Sequence, residues 1–438
     1  MSQYKAYTSY KDSGVEWIGQ VPEHWEVKRL RHVGRYSNSG VDKKSYEDQQ
    51  TVELCNYTDV YYNEFISDDM PFMQATASAH EIEQFTLKKG DVIITKDSED
   101  PSDIGIPAFV PHDMPGVVCG YHLTMIRALN DNYGSYIHRS IQSDHTRAHF
   151  FVESPGITRY GLNQNTIGNA PVALPPPEEQ ATIAATLDRE TARIDALVEK
   201  KIRFIELLKE KRQALITHAV TKGLDPNVKM KDSGVEWIGQ VPEHWEVKPF
   251  FALVSELNRK NVGLAETNIL SLSYGNIIQK PETRNMGLTP ESYETYQIVE
   301  SGEVVFRFTD LQNDKRSLRS AQVTQRGIIT SAYMAVKPHS IGSTYFAWLM
   351  RSYDLCKVFY AMGGGLRQSL KFEDVRRLPV LIPPVGEQSE ITNTINAGTA
   401  RIDALVEKTE QSITLLKERR AAFITAAVTG QIDLRGKQ

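Results

Sequence analysis

Residues 306–320, FRFTDLQNDKRSLRS, concentrate the side chains most able to do recognition chemistry. Arg307, Lys315, Arg316 and Arg319 stand against Asp310 and Asp314, with Thr309, Gln312 and Asn313 between them. Cations of this kind neutralise phosphate, while amides and hydroxyls read the edges of bases. A solvated loop would carry the same letters, so this stretch alone leaves both readings open. Signs of catalysis are harder to find. The chain has no GxxxxGK(S/T) loop for nucleotide phosphates, and GGGLRQSL at 363–370 has the glycines without the lysine–serine/threonine pair. A dinucleotide fingerprint, an HExxH helix and the Asp/Asn–Pro–Pro–aromatic motif of amino-methylating enzymes are also missing; the prolines here read LPPPE and IPPVG. The eleven histidines are dispersed. His24 and His244 sit in a repeated PEHWE, where a structural hydrogen bond accounts for them more simply than catalysis.

Composition narrows the class. Cys55, Cys119 and Cys356 are widely scattered with no CxxC pair, which argues against a disulfide framework or a zinc site and fits a reducing cytoplasm. No run of 18 apolar residues suggests a transmembrane helix, and MSQYKAYTSYKDSG lacks the apolar core of a signal peptide. A net charge of −5 makes no whole-chain case for nucleic acid, although a local basic face would be averaged away. With 438 residues, 40% of them hydrophobic, two sizeable cores plus connecting helices are within reach.

The elements that must position any site are announced by repetition. KDSGVEWIGQVPEHWEVK occupies both 11–28 and 231–248, and ARIDALVEK both 192–200 and 400–408. The second match extends without a gap over 186–225 and 394–433, and upstream it pairs Arg159, Pro175–Pro176 and Glu179–Gln180 with Arg367, Pro383–Pro384 and Glu387–Gln388. Between these blocks, 29–155 and 249–363 share no sequence. A fixed-offset repeat of this kind means an architecture built twice, here one frame carrying two different bodies. Four of the five tryptophans, Trp17, Trp25, Trp237 and Trp245, lie in the opening repeat. Stacking on bases is one role for them. Anchoring the segment against a helix is favoured, because identical copies would read identical bases.

Helical periodicity runs through 178–220 at Ile183, Leu187, Ile194, Leu197, Val198, Ile205, Leu208, Leu215 and Ile216, each with an apolar counterpart 208 residues on. Leu187, Ile194, Leu208 and Leu215 form a heptad seam with Lys201 its one polar member. LPPPEEQ and Gly223 frame the first helix, IPPVGEQ and Gly430 the second. Forty-odd residues make a rod of roughly 60 Å, and its economical partner is its own repeat, antiparallel. The divergent bodies read as mixed α/β. LKKGDVIITKD (87–97) and SGEVVFRFTD (301–310) each predict a turn and strand, 117–129 and 328–338 another strand, and 135–152 and 345–362 short helices. The same element order is expected in both.

Taken together, the tandem VPEHWE-type segments, the paired GxxRxxL…P…PP…EQ blocks and the duplicated ARIDALVEK helices resemble a specificity subunit of a type I restriction–modification system over nearly the whole length. The resemblance implies an α+β chain. A first target recognition domain at 1–175 leads to a spacer helix at 176–222 and a linker at 223–230. A second domain at 231–383, a second spacer helix at 384–430 and a tail at 431–438 follow, in a pseudo-two-fold arrangement. It implies sequence-specific binding of double-stranded DNA at a bipartite target, no catalysis and no cofactor in this chain. Methyltransferase subunits, two in number and carrying S-adenosylmethionine, would dock on the helices, with motor–nuclease restriction subunits joining for cleavage. Candidate DNA contacts are Asn56, Tyr57, Lys96, Ser98, Arg159 and Asn163 in the first body, and Tyr274, Asn276, Arg307, Thr309, Arg316 and Arg367 in the second. Arg159 and Arg367 follow equivalent glycine loops, PGITR and GGGLR, so they are a shared phosphate clamp or a shared salt bridge. Two other classes stay open: a coiled-coil scaffold that presents the bodies to proteins, and an enzyme with an unrecognised site.

Overall fold

A computed structural model describes residues 4–129, 133–280, 292–312, 314, 317–362 and 369–436. Two compact units emerge, Met1–Lys201 with Gln411–Gln438 and Ile202–Glu410. The first long helix, Pro177–Lys222, and the second, Val385–Val428, each contribute one part to either unit.

In the first unit, Tyr10–Asp12 and Gln20–Pro22 form a hairpin, and Glu26–Arg29 then pairs antiparallel with Pro171–Leu174. The two constant blocks are therefore hydrogen-bonded to each other, and the divergent sequence loops out between them. Its centre is an antiparallel sheet with Gly34–Asn38, Leu123–Ala128, Val92–Thr95 and Pro107–Phe109 in spatial order. Strand alternation splits VIIT between two layers. Val92 and Ile94 pack with Tyr136, Ile137 and Ile141 of the helix Tyr133–Ile141 and with Ile183, Leu187, Phe423 and Ile424 of the long helices. Ile93 faces a second layer built on Gln50–Cys55, Met73–Ala77 and Val117–Cys119. Burial on both faces explains why this strand is apolar without a break.

The second unit repeats this design with different letters. Glu246–Pro249 pairs with Pro379–Ile382. The sheet Val254–Leu257, Met334–Pro338, Val304–Phe306 and Ser320–Gln322 matches the first sheet strand for strand. Val304 and Phe306 face one core, and Val305 faces the other. The expected strands at 117–129 and 328–338 are each two. Val117–Cys119 is separated from Leu123–Ala128 by a turn through His122 at φ 70°, and Gly327–Ile329 is separated from Met334–Pro338. The expected helix at 345–362 likewise breaks into Ser343–Leu355 and Val358–Met362, at Lys357 with φ 62°.

Within each unit the long-helix segments run antiparallel. In the second unit Arg212 Nε donates to Asp403 Oδ1 at 2.9 Å, and a side chain at Gly398 would strike Leu215. In the first unit the repeat copy of that pair, Arg420 with Asp195, closes at 2.9 Å. Ile183, Leu187, Ile194, Ile205 and Leu208 are buried, whereas Leu197 and its copy Leu405 are 42% and 41% exposed. Both stand three residues past the buried Ile194 and Ile402.

The duplicated letters have duplicated work. Trp25 and Trp245 are fully buried, and their indole N–H groups donate to Glu179 and Glu387 at 3.1 Å, beside His24 and His244 at 2.8 Å from the same carboxylates. Gln180 and Gln388 donate to the carbonyls of Pro175 and Pro383, closing the helix starts. Gly430, at φ 71°, lies so close to Pro22 and Trp25 that any Cβ would collide. The tryptophans at these two positions are anchors. Trp17 and Trp237 instead lie half-exposed, beside His149 and Tyr353 respectively.

Candidate nucleic-acid interface

In the first body, YTDVYY forms the short helix Tyr57–Tyr62 at the end of the strand Gln50–Cys55. The four-residue spacing stacks Tyr57 on Tyr61, with ring centroids 5.6 Å apart and planes at 18°. Tyr62 stands 76% exposed. Opposite lies the end of the central strand, where Asp97 and Ser98 pair with Tyr160–Gly161. That pairing delivers Arg159 to a cavity of about 350 Å³ shared with Tyr57, Tyr61, Ser98, Asp103 and His122. Asp97 binds Lys96 Nζ at 2.7 Å and His122 Nδ1 at 2.6 Å. Burial opposes its ionisation, yet these two bonds hold the carboxyl below its usual range. A hydrogen bond to Asp103, aided by burial, pushes the Tyr61 phenol up to about 12, so Tyr61 stays a neutral donor. The cleft thus offers stacking faces, carboxylates that accept from exocyclic amines, and one exposed guanidinium. It suits base edges better than a row of phosphates.

In the second body, Leu270–Ser273 and Asn276–Gln279 form a hairpin closed by Tyr274 and Gly275, at φ 45° and 77°. Positive φ at both central positions is the tight turn whose twist matches that of the strands. Tyr274 is 79% exposed at its tip. Beneath, a second cavity of about 350 Å³ is bounded by Asn276, Gln322, Trp348, Arg351, Arg212 and Asn396, with Trp348 Nε1 donating to Asn396 at 2.9 Å.

The candidates therefore separate. Tyr57, Ser98 and Arg159 converge on one cleft, with Lys96 held just behind by Asp97. Asn56 precedes the tyrosine helix: its backbone N–H binds Asp59, and its side chain donates to Leu54 O at 3.3 Å. Asn163 caps the helix Gln164–Asn169 through Thr166 N. These two amides are engaged in local structure. Tyr274 and Asn276 share the hairpin tip. Arg307 is half-buried, 3.9 Å from Asp314, and Thr309 turns its carbonyl towards Arg319. Arg316 and Arg367 lie outside the described residues. Sequence reasoning missed Tyr61, Tyr62, His122 and Trp348. The i, i+4 tyrosines in YTDVYY were the available signal for the first two. Among the described residues no His, Cys, Asp and Glu group could hold a metal ion, and no helix is long and apolar enough to cross a membrane.

Residues 22–207 match the family model for the type I restriction modification DNA specificity domain. Over 437 residues the chain is 21% identical to a Methanocaldococcus jannaschii protein named as the type I restriction enzyme MjaX specificity subunit, covering 95% of this chain and 96% of that one. A chain solved in work on complex assembly and conformational transition of the type I R-M system superposes with a TM-score of 0.68 at 14% identity, covering 95% of this chain and 99% of that one. The HsdS subunit from Thermoanaerobacter tengcongensis follows at 0.53 and 16%, covering 94% and 98%. These structural likenesses establish the fold.

Proposed function

We propose, given that the chain belongs to the family of type I restriction–modification specificity subunits, that it reads a two-part DNA target and carries out no chemistry itself. Each body addresses one half-site through the major groove. The tyrosine cleft, with Tyr57, Ser98 and Arg159, serves one half, and the hairpin tip with Tyr274 and Asn276 serves the other. Arg307, Thr309, Arg316 and Arg367 belong to the same reading. The long helices fix the unread gap and carry the methyltransferase subunits, whose S-adenosylmethionine supplies the methyl group to a flipped adenine; restriction subunits join that assembly. Exposed apolar side chains suited to such docking stand on helix segments of each unit, Leu197 and Leu415 in the first and Ile202, Phe204 and Leu207 in the second.

The observation that carries this reading is one sheet built twice from unrelated letters between near-identical anchors. A frame that keeps its fold while its reading edges diverge is what two independent half-site specificities require. Sequencing the methylome of cells that express the chain with its methyltransferase partner tests it. The expected product is an adenine-methylated motif in two parts with a fixed gap, and a continuous motif would refute the two-reader arrangement.

A further inference from the structure

Two buried arginines join the reading edge of the second body to its supporting helix. Arg351, on Ser343–Leu355 and 9% exposed, turns one guanidinium nitrogen, Nη2, onto the carbonyls of Gly275 at the hairpin tip and of Ser320, the latter at 2.7 Å. Any side chain at Gly275 would collide with that guanidinium. The residue before Ser320 is Arg319, fully buried. Its Nη1 donates to Thr309 O at 2.9 Å, its Nη2 to Asp310 O at 3.3 Å and to Asp314 O, and its Nε to the Tyr360 hydroxyl at 3.2 Å. Its backbone N–H binds Asp354 Oδ2 at 2.5 Å, one turn beyond Arg351 on the same helix. A guanidinium taken out of water loses its hydration, which has to be offset by hydrogen-bond acceptors. Here most of those acceptors are main-chain carbonyls of two surface segments, one carrying Tyr274 and the other Arg307 and Thr309. Bonds of this kind set backbone shape through the carbonyls and do not themselves engage the segments' side chains. Asp310, at φ 57°, shows how particular that shape is.

We propose that Arg351 and Arg319 are positioning residues for DNA readout by the second body, holding the hairpin tip and the segment 307–312 in one reading geometry without touching DNA. The inference rests on the DNA-addressing reading above. Lysine keeps the charge but has neither the reach of the Nη2 that serves Arg351 nor the planar fork by which Arg319 meets several carbonyls at once, so Arg351→Lys and Arg319→Lys separate geometry from electrostatics. The test expresses each variant with the methyltransferase partner, sequences the methylome, and measures DNA affinity of the purified complex against salt. Both variants should relax base preference by about tenfold or more at positions of one half-site, the same half that Tyr274→Ala alters. The other half and the gap should stay as they were, and the slope of affinity with salt should not change, because no phosphate contact is lost. An unchanged motif overturns the proposal. So does uniform loss of methylation at every site, or a complex that fails to assemble, since an arginine needed only for folding gives one of these. A salt slope reduced by about one would make either residue a phosphate contact instead. If the unaltered chain directs no two-part motif, the functional reading falls, and that result is distinct from a failure of the clamp alone.

Discussion

Glu179 and Glu387 are the same residue of the repeat in unequal surroundings, and removing them should cost unequal amounts. Glu179 is 6% exposed and accepts from Tyr7 at 2.5 Å and Trp25 at 3.1 Å, with His24 at 2.8 Å. Tyr7 and Trp25 are both buried, so Glu179→Ala strands two donors, each at about 1–3 kcal/mol. His24 is exposed enough to turn to water. The sum is about 4 kcal/mol. Glu387 is 23% exposed and serves only Trp245 and His244 among the described residues. Because the Glu387 carboxylate is itself partly exposed, water can take its place beside the stranded indole, which limits Glu387→Ala to about 1–2 kcal/mol. Two units in one chain make a single unfolding midpoint ambiguous, so the assay is hydrogen exchange read peptide by peptide. Protection at 20–29 should fall about a thousandfold in Glu179→Ala, and protection at 240–249 about tenfold in Glu387→Ala, at 1.4 kcal/mol per decade. Equal losses, or a larger loss in the second variant, would refute the claim that burial and donor count set the anchor's strength.

Other expectations follow from single sites. Burial and the neighbouring Arg139 hold the His138 imidazole at about 3, below the usual value near 6.5. The folded first unit therefore binds fewer protons than the unfolded one. Its stability from this group is complete above about pH 6.5 and declines as pH falls towards 3, by about 1.4 kcal/mol per unit. His138→Gln should flatten that limb in acid-unfolding curves. Gly398→Val drives a side chain into Leu215 and should destabilise the second unit by about 1–3 kcal/mol; Leu215→Ala in the same chain should recover part of the loss, which a double-mutant cycle in denaturant would measure. If Arg159 is a phosphate contact, Arg159→Ala lowers affinity for every duplex and reduces the salt slope by about one. A changed sequence preference with an unchanged slope would count against that role.

Much of the frame was legible in the letters because it repeats. Gly223 and Gly430 ended the helices, the heptad seam called for a helical partner, the return of the chain to the next body made that partner antiparallel, and the repeated tryptophans marked an anchor whose carboxylate only the structure supplied. The bodies were legible only in element order, since a strand such as VIIT, buried on both faces, has no alternation to read. The breaks at His122 and Lys357 use non-glycine residues at positive φ, which sequence pattern does not flag. The candidate site fared less evenly. Tyr57, Ser98 and Arg159 meet although they are separated by up to 102 positions in the chain, through a pairing of Asp97–Ser98 with Tyr160–Gly161 that no local rule predicts. Arg319 misled for the converse reason: a basic residue in a polar loop reads as solvated or DNA-facing, yet it is wholly enclosed.

That enclosure bears on how one frame tolerates two unrelated bodies. Many of the polar contacts that hold each body to the frame are directed at main chain or at the repeated anchors, beside side-chain pairs such as Arg139 with Asp188 and Trp348 with Asn396. Glu26–Arg29 pairs with Pro171–Leu174 and Glu246–Pro249 with Pro379–Ile382 through backbone alone. Tyr136 donates to the carbonyls of Ala173 and Val428, and Tyr345 to that of Val220. Within the second body, Arg319 and Arg351 likewise bind mainly carbonyls. An acceptor on the main chain survives almost any substitution at its own residue, whereas a side-chain partner does not. Sequence in the reading segments is therefore free to change provided backbone shape is kept, and the fold can change what it reads without renegotiating what holds it together.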